Sequence, residues 1–261
     1  MSEQYVLETR NLVKEFKGFV AVDDVNLKIR KGHIHALIGP NGAGKTTVFN
    51  LLTKFLIPTR GQILFKGQDI TPLKSAAIAR RGIVRSFQIS AVFPHMTALE
   101  NIRVALQTAE SNSYSFWKSG ASLNKLNQRC MELLDSVGLA EFANTTTVEL
   151  AYGRKRALEL ATTLAMEPEL LLLDEPTQGM GGEDVDSVVE LVRKAAEGRT
   201  VLMVEHNLSV VSKLCDRITV LAQGAVLTEG EYGEVSADPR VREVYMGSSN
   251  DKAPVQQETA E

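Results

Sequence analysis

Residues Gly39-Pro40-Asn41-Gly42-Ala43-Gly44-Lys45-Thr46 fit the pattern G-x-x-x-x-G-K-[ST] in full. Such a loop constrains the fold on both sides: it must follow a strand and open a helix, so that backbone N–H groups converge on phosphates. The flanks agree. His33–Ile38 reads as a strand entering the loop and Thr46–Leu52 as the helix leaving it. The glycines let the backbone curl, Lys45 is expected to reach the β- and γ-phosphates, and Thr46 to offer its hydroxyl to Mg²⁺. The helix N-terminus adds its dipole to the anion site. The loop alone does not separate GTPases, kinases and transport ATPases.

The 261 residues, 44% hydrophobic, suit one large domain or a domain with a sub-domain. A net charge of −3 offers no general electrostatic case for nucleic acid. Cys130 and Cys215 lack metal-type spacing and read as reduced, buried thiols. His33 and His35 share one side of a strand and read as a sheet pair rather than as metal ligands. The polar start of the chain lacks the pattern of a signal peptide. No apolar stretch approaches the roughly 18 residues of a membrane span. The chain is therefore expected to be soluble alone, with any membrane role supplied by a partner.

Two β segments, Leu7–Phe16 and Val20–Ile29, flank a Lys17-Gly18 turn, and Gly61–Phe65 adds a third, which suggests an antiparallel layer beside the phosphate-loop core. Leu170–Leu173 and Thr200–Val204 are short apolar runs of the kind found in buried parallel strands, and Asp184–Glu197 reads as the crossover helix between them. The middle, about Ile89–Glu167, is mainly helical. There Leu123, Leu126, Cys130, Leu133, Leu134 and Val137 keep helical spacing up to Gly138. Gln107–Ala121 reads as a surface loop pinned by Tyr114, Phe116 and Trp117, with a docking surface as the alternative. Residues 248–261 read as a disordered tail.

Leu170–Leu173 delivers Asp174, placed to hold Mg²⁺ directly or through water, and then Glu175, placed to polarise an attacking water. His206 ends the next strand, where an imidazole can donate to a γ-phosphate. Gln88, after Phe87, can touch both Mg²⁺ and the water. Leu150-Ala151-Tyr152-Gly153-Arg154 comes shortly before the leucine run.

With these motifs in this order the sequence resembles the ATP-binding subunits of ABC transporters, over nearly the whole chain to about Gly247. The fold that the resemblance implies is α/β: a P-loop (RecA-like) core at residues 1–88 and 168–247 with an antiparallel β sub-domain, and an α-helical signature sub-domain at 89–167. The cofactors are ATP and Mg²⁺. Implied roles are adenine stacking for Phe16, an α-phosphate contact for Thr47, general base for Glu175, γ-phosphate sensing for His206, and a link to the membrane subunit for Gln88. Two cassettes meet head to tail, so that Leu150–Arg154 of one closes on ATP held by the other. The signature departs from the usual form, with Ala151 and Tyr152 where Ser and Gly are common. Gln178-Gly179-Met180-Gly181 lacks the usual aspartate after the leucine run.

The Leu-x-Tyr-Gly signature, the Gly-Met-Gly turn, Glu205-His206-Asn207-Leu208 and the C-terminal Tyr245-Met246-Gly247 look like the ATPases of branched-chain amino-acid importers, and the chain resembles the longer of the two. The implied partners are permease subunits, a second ATPase (heterodimer or homodimer) and, indirectly, a solute-binding protein. The implied location is peripheral, on the cytoplasmic face of the cell membrane. Related readings are a urea or amide importer and a lipid-type exporter; a non-transport ATPase fits the single cassette and charge less well. The coupling surface is expected near Gln88–Met96, with Val92, Phe93 and Met96 either as apolar contacts or as sub-domain core.

Overall fold

The computed structural model describes residues 5–86, 92–109, 120–180 and 182–247. Its strands are β1 (Tyr5–Phe16), β2 (Phe19–Val25), β3 (Lys28–Arg30), β4 (Ile34–Ile38), β5 (Arg60–Phe65), β6 (Gln68–Asp69), β7 (Ile83–Ser86), β8 (Leu170–Asp174), β9 (Thr200–Val204), β10 (Arg217–Ala222) and β11 (Ala225–Gly230). Its α-helices are α1 (Lys45–Leu52), α2 (Ser75–Ala79), α3 (Ala98–Ala109), α4 (Gly120–Ser136), α5 (Tyr152–Leu164), α6 (Gly182–Ala196), α7 (Leu208–Leu214), α8 (Tyr232–Ala237) and α9 (Pro239–Gly247).

Two sheets organise these elements. One runs β11-β10-β4-β9-β8-β7, parallel except for the antiparallel edge strand β11. The other is antiparallel, in the order β2-β1-β5-β6, with β3 also pairing β1. The central parallel strands are buried on both faces, and alternate residues feed different cores. Ala36, Leu171, Leu173, Val201 and Met203 pack with the helical middle and with α5, α6 and α7. Leu37, Leu170, Leu172, Leu202 and Val204 pack with α1 and the antiparallel layer. Period-2 alternation thus joins two hydrophobic cores through one sheet, and burying each of these leucines contributes about 1.5–3 kcal/mol.

The expected single segment Val20–Ile29 is split. β2 stops at Val25 and β3 starts at Lys28, because β1 and the returning chain bulge together. Asn11 and Asp24 both have positive φ (47° and 48°). Asn11 Nδ2 donates to Asp24 Oδ1 and Asn11 N to Asn26 Oδ1, each at 2.8 Å. Buried Thr9 spans the break: its hydroxyl donates to Val25 O and accepts from Leu27 N, both at 2.8 Å. Here side-chain bonds replace the ladder.

Other expectations shift at their edges. Of the anticipated loop Gln107–Ala121, residues 107–109 belong to α3 and 120–121 to α4, while 110–119 lie outside the described residues, as does the tail 248–261. Cys130 is buried, whereas Cys215 is only partly buried, its Sγ 3.6 Å from Met203 Sδ. His33 and His35 part ways. His35 is buried and its Nε2 donates to Thr219 Oγ1 at 2.7 Å, while the Thr219 hydroxyl donates to Glu229 Oε2 at 2.9 Å. Burial lowers the His35 pKa to about 4, so the ring is neutral at pH 7. Among the described residues no group of three His, Cys, Asp or Glu side chains could hold a metal ion.

Candidate functional site

The C-terminal ends of the parallel strands bring the site residues together. β4 ends at Ile38, the loop Gly39–Gly44 follows, and α1 begins at Lys45. Gly39 has φ 149°, and a Cβ there would stand 2.2 Å from Leu221 O on β10. Gly44 has φ 98°, and a Cβ there would stand 2.6 Å from Ala21 O on β2. Two strands therefore press on the loop where only glycine fits. Further backbone bonds tie in the β10–β11 turn: Gly224 N donates to Ala43 O at 3.1 Å and Asp23 N to Gly224 O at 2.8 Å.

Lys45 is 5% exposed and donates to Gly39 O at 2.7 Å and Pro40 O at 2.9 Å. Its ammonium is thus stored against the loop it serves, where phosphate oxygens can replace the carbonyls. Burial pulls its pKa below the ordinary lysine value, and the Glu175 and Asp174 carboxylates oppose that pull. Thr46 is exposed and Thr47 half-buried in the first turn of α1, where backbone N–H groups lack intrahelical partners.

Asp174 closes β8 and is buried, ion-paired with Arg85 of β7. Glu175 follows in the left-handed region, φ 47°, fixed by its N–H on Val204 O at 2.9 Å. For a non-glycine residue that backbone costs about 1–2 kcal/mol, and it aims the carboxylate at His206. His206 Nε2 donates to Glu175 Oε1 at 2.7 Å. The two carboxylates, the Lys45 ammonium and the imidazole thus meet at one edge of the sheet.

Glu205, to which the sequence motifs assign no role of its own, is 2% exposed and organises this edge. Its carboxylate accepts from Thr177 N (3.1 Å), Thr177 Oγ1 (2.6 Å), His206 N (2.9 Å) and Asn207 N (3.2 Å). It clamps the loop after Glu175 to the segment that carries His206. Asn207 then caps α7 by accepting from Ser209 N at 3.0 Å. A buried glutamate between an apolar strand and His206 is the only trace of this clamp in the sequence.

The other expected site residues lie at the periphery or elsewhere. Phe16 ends β1, half exposed, with Lys14 Nζ 4.9 Å from its ring centroid. Leu150 is buried, and Ala151 is the N-cap of α5 without a side-chain cap. Tyr152, Gly153 and Arg154 form the first turn of that helix. They make their contacts within this end of the molecule: Tyr152 Oη donates to Gln178 O at 3.2 Å, and the Arg154 guanidinium lies 3.9 Å from the Phe142 ring centroid. Gln88 and Gly181 lie outside the described residues. Val92 is part of the core at 8% exposure, but Phe93 at 49% and Met96 at 36% are on the surface. Buried Asn101 holds that surface in shape, accepting from Phe93 N at 2.6 Å and donating to Phe93 O at 3.1 Å.

The donor chemistry fits a small hard cation. A carboxylate that already takes a cationic partner (Asp174) and an exposed hydroxyl at a helix N-terminus (Thr46) are oxygen ligands of the kind Mg²⁺ takes, in the small number that leaves room for water and phosphate. Together the loop, the ammonium and the paired carboxylates can bind a nucleoside triphosphate and direct water at its terminal phosphate.

The ABC transporter family profile matches residues 22–178. The chain is 38% identical over 252 residues to the high-affinity branched-chain amino acid transport ATP-binding protein BraF of Pseudomonas aeruginosa, covering 94% of this chain and 98% of that one. It is 37% identical over 253 residues to the corresponding LivG protein of Escherichia coli K12, covering 94% and 99%. Among solved structures, the ADP conformation of MJ1267, an ATP-binding cassette of an ABC transporter, superposes with a TM-score of 0.81 at 30% identity, over 93% of this chain and 99% of that one. CbiO1 of Clostridium perfringens, part of the cbiONQ ABC transporter complex, superposes with a TM-score of 0.79 at 26% identity, over 96% and 100%.

Proposed function

Because the chain belongs to the ABC transporter family, we propose that it is the ATP-hydrolysing motor of an importer for branched-chain amino acids, working on separate permease subunits. The observation that carries this reading is near full-length similarity to branched-chain amino-acid transport ATPases, joined to an intact Lys45, Asp174, Glu175 and His206 set. Among the described residues no helix is long and apolar enough to cross a membrane; the place proposed for the chain is peripheral, on the cytoplasmic face, beside its permeases.

In this reading Phe16 stacks on adenine, and Gly39–Gly44 with Lys45 and Thr47 hold the phosphates. Thr46, Asp174 and Gln88 would hold Mg²⁺, and a bound Mg²⁺ would supply charge neutralisation at the phosphates. Glu175 takes the proton of the attacking water as oxygen bonds to the γ-phosphorus and the bond to the β,γ-bridging oxygen breaks, leaving ADP and phosphate. His206 Nε2 donates to Glu175 before nucleotide binds and turns that N–H toward the γ-phosphate once ATP is held. Leu150–Arg154 closes on ATP held by a second cassette. Ala151 has no hydroxyl for that ATP, so Gly153 N–H, the start of α5 and Arg154 bear the contact. Phe93 and Met96, outside the core, suit the permease contact.

Membranes solubilised in mild detergent test the assembly. A tagged chain is expected to recover hydrophobic permease subunits and a second ATPase. Recovery with ribosomes or DNA, and no permease, contradicts the reading.

A further inference from the structure

Asp174 does not stand alone at the end of β8. Arg85 reaches it from the neighbouring strand β7, and both side chains are nearly buried, at 11% and 3% exposure. The same guanidinium extends to α1, the helix that Lys45 begins. Arg85 Nη1 donates to Asn50 Oδ1 at 2.7 Å, and the guanidinium carbon lies 5.7 Å from the Phe49 ring centroid. Arg85 Nε is buried and has no hydrogen-bond partner among the described residues. One cation therefore bridges β7, the strand end bearing Asp174 and the phosphate-binding helix.

A buried carboxylate needs a counter-charge, and removing the partner of a buried pair is strongly destabilising. Arg85 supplies that charge to Asp174. A divalent cation reaching the same carboxylate would place a second positive charge beside the guanidinium, and the two would repel. Asn50 Oδ1 and the face of Phe49, which the guanidinium already touches, form a second seat on α1 that it can keep when it leaves Asp174. We propose that Arg85 is a positioning residue that stands in for the metal at Asp174 and yields toward Asn50 and Phe49 when metal and nucleotide arrive. This rests on the reading that Asp174 holds Mg²⁺.

The test compares wild type with Arg85→Gln and Arg85→Lys. ATP affinity is measured in EDTA, and Mn²⁺ affinity at saturating ATP is measured by electron paramagnetic resonance. Without Arg85 the bare Asp174 repels metal-free ATP and is free to take the metal. Arg85→Gln should weaken ATP binding in EDTA and tighten Mn²⁺ binding, each by about tenfold, the scale of one hydrogen bond to a charged group. Arg85→Lys keeps the charge and should stay nearer wild type in both. Unchanged affinities in Arg85→Gln would overturn the proposal. Should that variant not fold, Asn50→Ala decides: losing the second seat should weaken Mn²⁺ binding, and no change would refute the yielding step. If wild type binds ATP equally well in EDTA and Mg²⁺ and takes up no Mn²⁺, the metal reading itself fails, independently of Arg85.

Discussion

Replacing Glu175 with glutamine is expected to lower ATP turnover by about 10²–10⁴-fold, the contribution of a positioned general base. The substitution is informative because it changes so little else. Glutamine keeps the length of the side chain, and its carbonyl oxygen can still accept from His206 Nε2, the bond now 2.7 Å long. The backbone of residue 175 is held in the left-handed region by Val204 O, which the substitution leaves alone. What disappears is the capacity to take a proton from water. ATP binding should persist, since Lys45 and the Gly39–Gly44 loop are untouched, and ATP should hold two cassettes together because it is no longer consumed. Steady-state hydrolysis and size-exclusion chromatography in ATP report the two effects. Turnover equal to wild type would remove Glu175 from the base role.

The second large effect is on the phosphate loop. Gly39→Ala should lower stability by about 3–5 kcal/mol, combining a strained backbone with a collision no side chain can relieve. The added methyl would stand 2.2 Å from Leu221 O, a backbone atom of β10, which pairs with β4 along the register Val220 to Ile38. Relief requires β10 to part from β4, or Gly39 and Pro40 to leave the positions from which they accept Lys45. Gly42→Ala is the matched control. Gly42 also has positive φ, at 79°, but nothing lies within 4 Å of its added methyl, so only the backbone preference of about 1–2 kcal/mol is lost. Urea unfolding of both variants measures the difference. Equal stabilities would mean that β10 does not press on the loop.

What could be read along the chain follows from how local each signal is. The phosphate loop, the leucine run with Asp174 and Glu175, and the apolar strand before Glu205 are contiguous, so their residue order already carries strand, turn and helix. The joining of two cores through one sheet was implicit in Leu170–Leu173 being apolar at every position, since only a strand covered on both faces needs that. Features made by register across strands were not legible. Arg85 looks like an ordinary cation in a short strand until β7 is placed beside β8, and Glu205 looks like a polar residue after β9 until Thr177 folds back on it. Val20–Ile29 reads as one strand because Val20, Val22, Leu27 and Ile29 recur across its polar residues; the break is made by Thr9 and Asn11, more than ten residues before it. Val92 and Phe93 are both large and apolar, and only the packing of α3 sends one into the core and leaves the other exposed.

In the proposed function this ATPase drives branched-chain amino-acid uptake. Its most direct test is transport of labelled leucine and labelled urea by a strain lacking the chain, complemented with wild type or with Glu175→Gln. Leucine uptake should be lost on deletion, restored by wild type and not by the variant, with urea unaffected. Leucine uptake indifferent to the deletion, or restoration of urea alone, would contradict the account.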